Sequence, residues 1–102
     1  MKTAFRKDPD AVLDYHFVWS DWLDDDTISS HTVTADDGIT IDSSEINSES
    51  LALDGVTYTA STVVTVWLSG GTDGSDYDVA CKIVTADGRT EERTIRILVR
   101  ER

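Results

Sequence analysis

Apolar and polar positions alternate with period two along much of the 102-residue chain, the period of strands that bury one face. The clearest runs lie late in the sequence. Tyr77, Val79, Cys81 and Ile83 share one face, with Asp78 and Lys82 on the other, and Ile95, Ile97 and Val99 alternate with Thr94, Arg96 and Arg100. Ala86-Asp87-Gly88 lies between them. Asp-Gly tolerates the positive φ of hairpin turns, so the two runs predict a long β-hairpin with Gly88 as a structural turn residue. Upstream, Leu13, Tyr15, Phe17 and Trp19 alternate with Asp14, His16 and Val18 and predict a first strand. Ser20 to Leu23 breaks that alternation and turns Trp22 and Leu23 back against the edge of the core. Ile28 to Thr34 reads as a second strand, and Ile39 with Ile41 as a short third after Asp36-Asp37-Gly38. Leu51 and Leu53 suggest a brief strand inside the loop-like stretch 42–55, and Tyr58 to Ser61 and Val63 to Leu68 are extended. In the last of these, Trp67 falls opposite Val64, Val66 and Leu68.

No window of eleven or more residues carries a helical period with caps, so no long helix is expected. About seven short antiparallel strands separated by Gly, Asp and Ser turns predict an all-β chain folded as a β-sandwich. Tyr77 refines that expectation. It follows the glycine-rich stretch 70–76, as the corner tyrosine of immunoglobulin-like domains opens its strand and bonds back to the preceding turn. Cys81 is the only cysteine, so the expected fold is immunoglobulin-like without a disulfide, and Cys81 serves as a small buried hydrophobe. Trp19 and Trp22 are assigned to the structural core together with Tyr77. Residues 1–10 hold the only proline and no period, and are read as a flexible basic arm, dispensable for folding, ahead of one domain at 11–102.

Charge narrows the partners. The formal net charge is −11, and the stretch 8–88 contains a single base, Lys82. So acidic a body excludes duplex nucleic acid and anionic membrane as partners, since phosphate surfaces need Lys and Arg. No apolar run is long enough to cross a membrane as a helix, and no secretion signal opens the chain. Lys2, Arg6 and Lys7 stand ahead of the acidic body and are candidate partner-binding residues, complementary in sign to it.

Catalytic and metal chemistry find no foothold. Asp24, Asp25 and Asp26 are consecutive, and Asp73, Asp76 and Asp78 beside Gly74 match no calcium loop. One cysteine and the distant His16 and His31 supply no zinc spacing. Nucleophile elbows and phosphate loops are missing too. The expectation is a non-enzyme with no cofactor, no metal and no small-molecule substrate. Trp67, if exposed, marks a protein interface; a sugar-stacking face built from Trp19, Trp22 and Trp67 with Tyr15 is the alternative.

Several motifs together resemble a known family. Asp14-Tyr15, Trp19-Ser20-Asp21-Trp22-Leu23 and Asp26-Thr27-Ile28 open the likeness. Trp67-Leu68-Ser69-Gly70-Gly71-Thr72-Asp73-Gly74, Tyr77, Thr85-Ala86-Asp87-Gly88-Arg89-Thr90 and Arg93 continue it. These resemble small fiber-tail adaptor proteins of tailed bacteriophages, with residues 42–62 outside the pattern. The resemblance implies an immunoglobulin-like virion component at the neck, tail or fiber attachment. It would be synthesised in the bacterial host cytoplasm, be present in several copies, and bind other virion proteins and itself. A head-decoration protein and a carbohydrate-binding sandwich, with or without calcium, are the alternatives.

Overall fold

The computed structural model describes residues 3–101. The strands are β1 (Thr3–Lys7), β2 (Leu13–Val18), β3 (Ile28–Ala35), β4 (Ile39–Ile46), β5 (Leu51–Leu53), β6 (Val56–Tyr58), β7 (Val63–Gly70), β8 (Asp76–Thr85) and β9 (Thr90–Val99). One helical turn, α1 (Ser20–Leu23), follows β2. A four-stranded sheet ordered β1-β9-β8-β3 faces a three-stranded sheet ordered β2-β7-β4, and β5 pairs only with β6.

Alternation determines what each face buries. Tyr77, Val79, Cys81, Ile83, Ile95, Ile97 and Val99 turn inward from the larger sheet. Tyr15, Phe17, Val64, Val66 and Leu68 meet them from the smaller one. Each large apolar side chain so buried contributes about 1.5–3 kcal/mol of transfer free energy. Trp19 is wholly inside and Trp22 packs against the same cluster. The β8–β9 hairpin closes with Thr85 N donating to Arg89 O at 2.8 Å and Gly88 N donating to Thr85 O at 3.0 Å. Gly88 sits at φ 87°, the left-handed residue that a three-residue hairpin loop requires.

The described residues form nine strands, where the pattern predicts about seven. The main correction concerns the arm. Thr3–Lys7 is not a flexible segment but a strand lying parallel to β9, from Thr3 beside Ile95 to Lys7 beside Val99. Phe5 turns toward the core and packs on Tyr15 with ring centroids 5.3 Å apart. Lys7 is fully buried, its Nζ donating to Gly70 O at 2.7 Å and Asp8 O at 2.9 Å. Two carbonyl acceptors and a long aliphatic stem admit a lysine to an inward position. That inward lysine is what hides the period of β1 in the sequence.

The loop at 42–55 is also more regular than its composition indicates. β4 runs on to Ile46 through a register shift between Ile41 and Ser43. Ser44 accordingly pairs with the buried Val66, and its hydroxyl bonds His31 Nε2 at 3.0 Å, linking the two sheets at their β3–β4 side. β5 and β6 form a small hairpin between β4 and β7. The Asn47 side chain ties its base, accepting from Thr62 N and Val63 N and donating to Glu49 O and Thr59 O. Residues 59–61 belong to that tied loop and not to the strand expected there.

Candidate docking site

Motifs far apart in sequence meet at one end of the sandwich. Trp19 and Trp22 lie edge to face, 5.7 Å between centroids. Arg93, on β9, covers the Trp19 ring at 4.3 Å, and Arg89 covers Trp22 at 4.4 Å. Each guanidinium also satisfies backbone. Arg93 Nη1 donates to Val18 O at 2.7 Å, and Arg89 Nη2 donates to Leu23 O at 2.9 Å. Asp26, buried beside them, accepts from Thr27 N, Asp87 N and Arg89 Nε. Burial alone would raise its carboxyl, but the Thr85 hydroxyl, these two amides and Arg89 hold it below the ordinary carboxylate value. Burial pushes the Cys81 thiol up to about 11, against smaller pulls from the Trp19 indole and Arg93. That indole contact is too weak to count as a hydrogen bond, and Trp19 Nε1 is left without an acceptor. This end is a clamp whose guanidinium groups are spent on the chain itself.

The Tyr77 corner is equally inward. Thr72 N donates to Tyr77 Oη at 2.9 Å. Hydrogen bonds from the Thr72 hydroxyl and amide hold the phenol below its ordinary value, against the opposing effect of burial. Gly38 and Gly71 flank the ring: a Cβ on Gly38 would come within 2.8 Å of Tyr77 Cε1, and one on Gly71 within 2.7 Å of Val99 Cγ2 and 3.4 Å of Tyr77 Cε2.

Open surface lies elsewhere. On the outer face of the three-stranded sheet, Trp67 is 40% exposed, with Asp14 beside it on β2 and Ser43 on β4. His16, next along β2, has both ring nitrogens engaged, Nδ1 with Thr65 Oγ1 at 2.8 Å and Nε2 with Asp14 Oδ2 at 3.1 Å. Ser69 Oγ donates to Asp42 on the same sheet. The candidate bases do not join Trp67. Lys2 lies outside the described residues, Arg6 is exposed on β1 of the other sheet, and Lys7 is corrected to a buried structural residue. Burial pushes the Lys7 ammonium below its usual value despite Asp8, Asp10 and Asp42.

A feature the pattern does not reveal is a groove of about 530 Å³ between β2 and the β5–β6 hairpin. Phe5, Tyr15 and Val18 line one side and Leu53, Val56 and Tyr58 the other. Asp14, His16 and Asp54 add polar groups. The sequence signal is faint: Leu53, Val56 and Tyr58 are apolar residues in a polar stretch, which reads equally as scattered loop anchors. Among the described residues no group of three or more His, Cys, Asp and Glu is placed to hold a metal ion, and no helix is long and apolar enough to cross a membrane.

Comparison with family models matches residues 7–98 to the podophage GP4 fiber-tail adaptor protein gp77. The chain belongs to this fiber-tail adaptor family. No curated protein matches it. The adaptor match runs from Lys7 at the end of β1 almost to the end of β9. It therefore includes residues 42–62, which the motif resemblance leaves out, and with them the β5–β6 hairpin and its groove. The adaptor motifs at Trp19–Leu23, Asp26, Arg89 and Arg93 are those that build the Trp–Arg clamp. In this adaptor much of the recognisable sequence is scaffold, while Asp14 and Trp67, also within its motifs, lie on the outer face of the three-stranded sheet.

Proposed function

We propose that this chain is a non-catalytic connector in a tailed-phage virion, joining fiber to tail through protein–protein contacts, in several copies per particle. The family match over residues 7–98 carries the reading. Its architecture supports an immunoglobulin-like module. The order β1-β9-β8-β3 over β2-β7-β4 has the larger sheet centred on the closing hairpin, and Tyr77 bonds back to its corner as tyrosines of that fold do. Titratable groups drawn together in the clamp are engaged with each other or with backbone, as suits a scaffold. The exposed Trp67, ringed by Asp14 and polar side chains, and the exposed Arg6 are contact residues for neighbouring virion proteins or copies of the chain. Synthesis in the host cytoplasm precedes incorporation, consistent with a lone buried cysteine.

The test is a phage deleted for the gene. Particles assembled without the chain are expected to keep heads and tails but lose fibers, with fibers restored by the gene supplied in trans. A full fiber complement on the deleted particles overturns the reading.

A further inference from the structure

Among the described residues strand β2 has a hydrogen-bonded neighbouring strand on one side only, β7. A strand edge left so presents a row of N–H and C=O groups to any extended chain that can reach it. The other edges of the two larger sheets are blunted. β3 and β4 are each broken by a register shift, between Ile28 and Ser30 and between Ile41 and Ser43, and β1 is five residues long with Arg6 outward. β2 pairs without a shift over six residues and contains no Pro, Lys or Arg. Such devices are how sheets avoid unwanted pairing, and of them β2 has only the charged Asp14.

Apolar surface gathers at the same strand. The exposed large hydrophobics among the described residues are Val12, Leu13, Val56 and Trp67. Val12 and Leu13 lead into β2, Val56 faces it across the groove, and Trp67 lies opposite Asp14 on the adjacent strand. An extended residue occupies roughly 160 Å³ from the strand rise and the strand and sheet spacings. The groove of about 530 Å³ therefore seats about three residues beside the apolar stretch at Val12 and Leu13. Its charge selects what enters. Asp14 and Asp54 contribute carboxylates, and the basic-capable group, His16, is already bonded to Thr65 and Asp14. Among the described lining residues an acidic segment finds no uncommitted counterion, whereas Lys or Arg finds the carboxylate of Asp54 and that of Asp14, which His16 already contacts.

We propose that this groove receives an extended segment of a partner virion protein, apolar side chains alternating with Lys or Arg, which adds as a strand along the free edge of β2. Main-chain bonds supply affinity in this mode, and alternate side chains supply selectivity. The proposal rests on the adaptor reading and names its docking strand.

The test uses the full chain with the fiber and the fiberless tail purified from its own phage. Wild-type protein is expected to bind at least one of them. A seven-residue peptide alternating Val with Lys should displace it at a concentration at least tenfold below that needed by the Val/Glu peptide. Val56→Asp and Asp54→Lys should each weaken binding at least tenfold with the melting midpoint preserved, and Asp37→Lys, the same charge change in a distant exposed turn, should leave it unaltered. Hydrogen exchange on the wild-type complex should slow at β2, a readout that needs no variant. Wild-type affinity in both groove variants, an equal loss in Asp37→Lys, equal displacement by both peptides, or unprotected β2 amides overturns the groove proposal alone. Binding to neither fiber nor tail overturns the adaptor reading and the groove with it.

Discussion

Asp26 and Tyr77 do similar work at different corners, each a polar side chain that joins segments the backbone ladders leave apart. The Asp26 carboxylate gathers the amides of Thr27 and Asp87 and the guanidinium of Arg89. Its folded-state pKa lies below the unfolded value of about 3.9, so the unfolded chain binds more protons there. The stability it contributes is complete above the unfolded value and is lost as pH falls through the folded one. Asp26→Asn should therefore melt lower than wild type at about pH 7, with the difference shrinking as acid approaches about pH 3. Parallel melting curves across that range would refute this role. Tyr77→Phe removes the acceptor of Thr72 N while keeping the ring between its glycines. It should lower the melting midpoint by roughly 4–8 °C, and an unchanged midpoint would leave the corner bond without energetic weight.

Among elements, β1 changes most between the sequence and the folded chain. Removing residues 1–7 takes Phe5 and the buried Lys7 from the core side and strips β9 of its parallel neighbour. Calorimetry on the truncated chain should show a midpoint lowered on the order of 10 °C or more, and a wild-type midpoint would restore the view of a dispensable arm. The reasons some elements are legible are local. Tyr77 to Ile83 and Ile95 to Val99 keep strict alternation around an Asp-Gly turn, so their hairpin, its inward face and the burial of Cys81 can all be read directly. β1 fails because Lys7 stands where an apolar residue is expected. β4 fails because Ser44 turns inward on a hydrogen bond from another strand, and because a register shift at Asp42 resets its phase. The groove is less legible still. It is a space between β2 and a hairpin some forty residues later, and no single run of residues encodes it.

At the scale of the whole molecule, charge is sorted. Arg89, Arg93, Arg96 and Arg100 pair with Asp26, Asp21, Asp78 and Asp76, so most of the arginine charge is spent internally. With a net charge of −11, the acids elsewhere repel one another, and salt screens that repulsion. The partly exposed pairs of Arg93, Arg96 and Arg100 contribute little each, so the repulsion dominates. The melting midpoint is expected to rise between about 0.01 M and 0.5 M sodium chloride, and a falling midpoint would give the ion pairs the larger share.

The parallel pairing of β1 with β9 also sets the order in which the fold can be finished. Residue 3 has its place beside residue 95 and residue 7 beside residue 99. Contacts this remote in sequence form slowly, and during synthesis the early segment leaves the ribosome long before its partner exists. Phe5 and Lys7 thus stay unplaced until β9 has been made and docked on β8, and Gly70 O waits for the lysine that will cap it. Completion of the sandwich doubles as a check on completion of the strand β9, because a chain halted short of it keeps an unsealed core edge and cannot present the finished surface around β2.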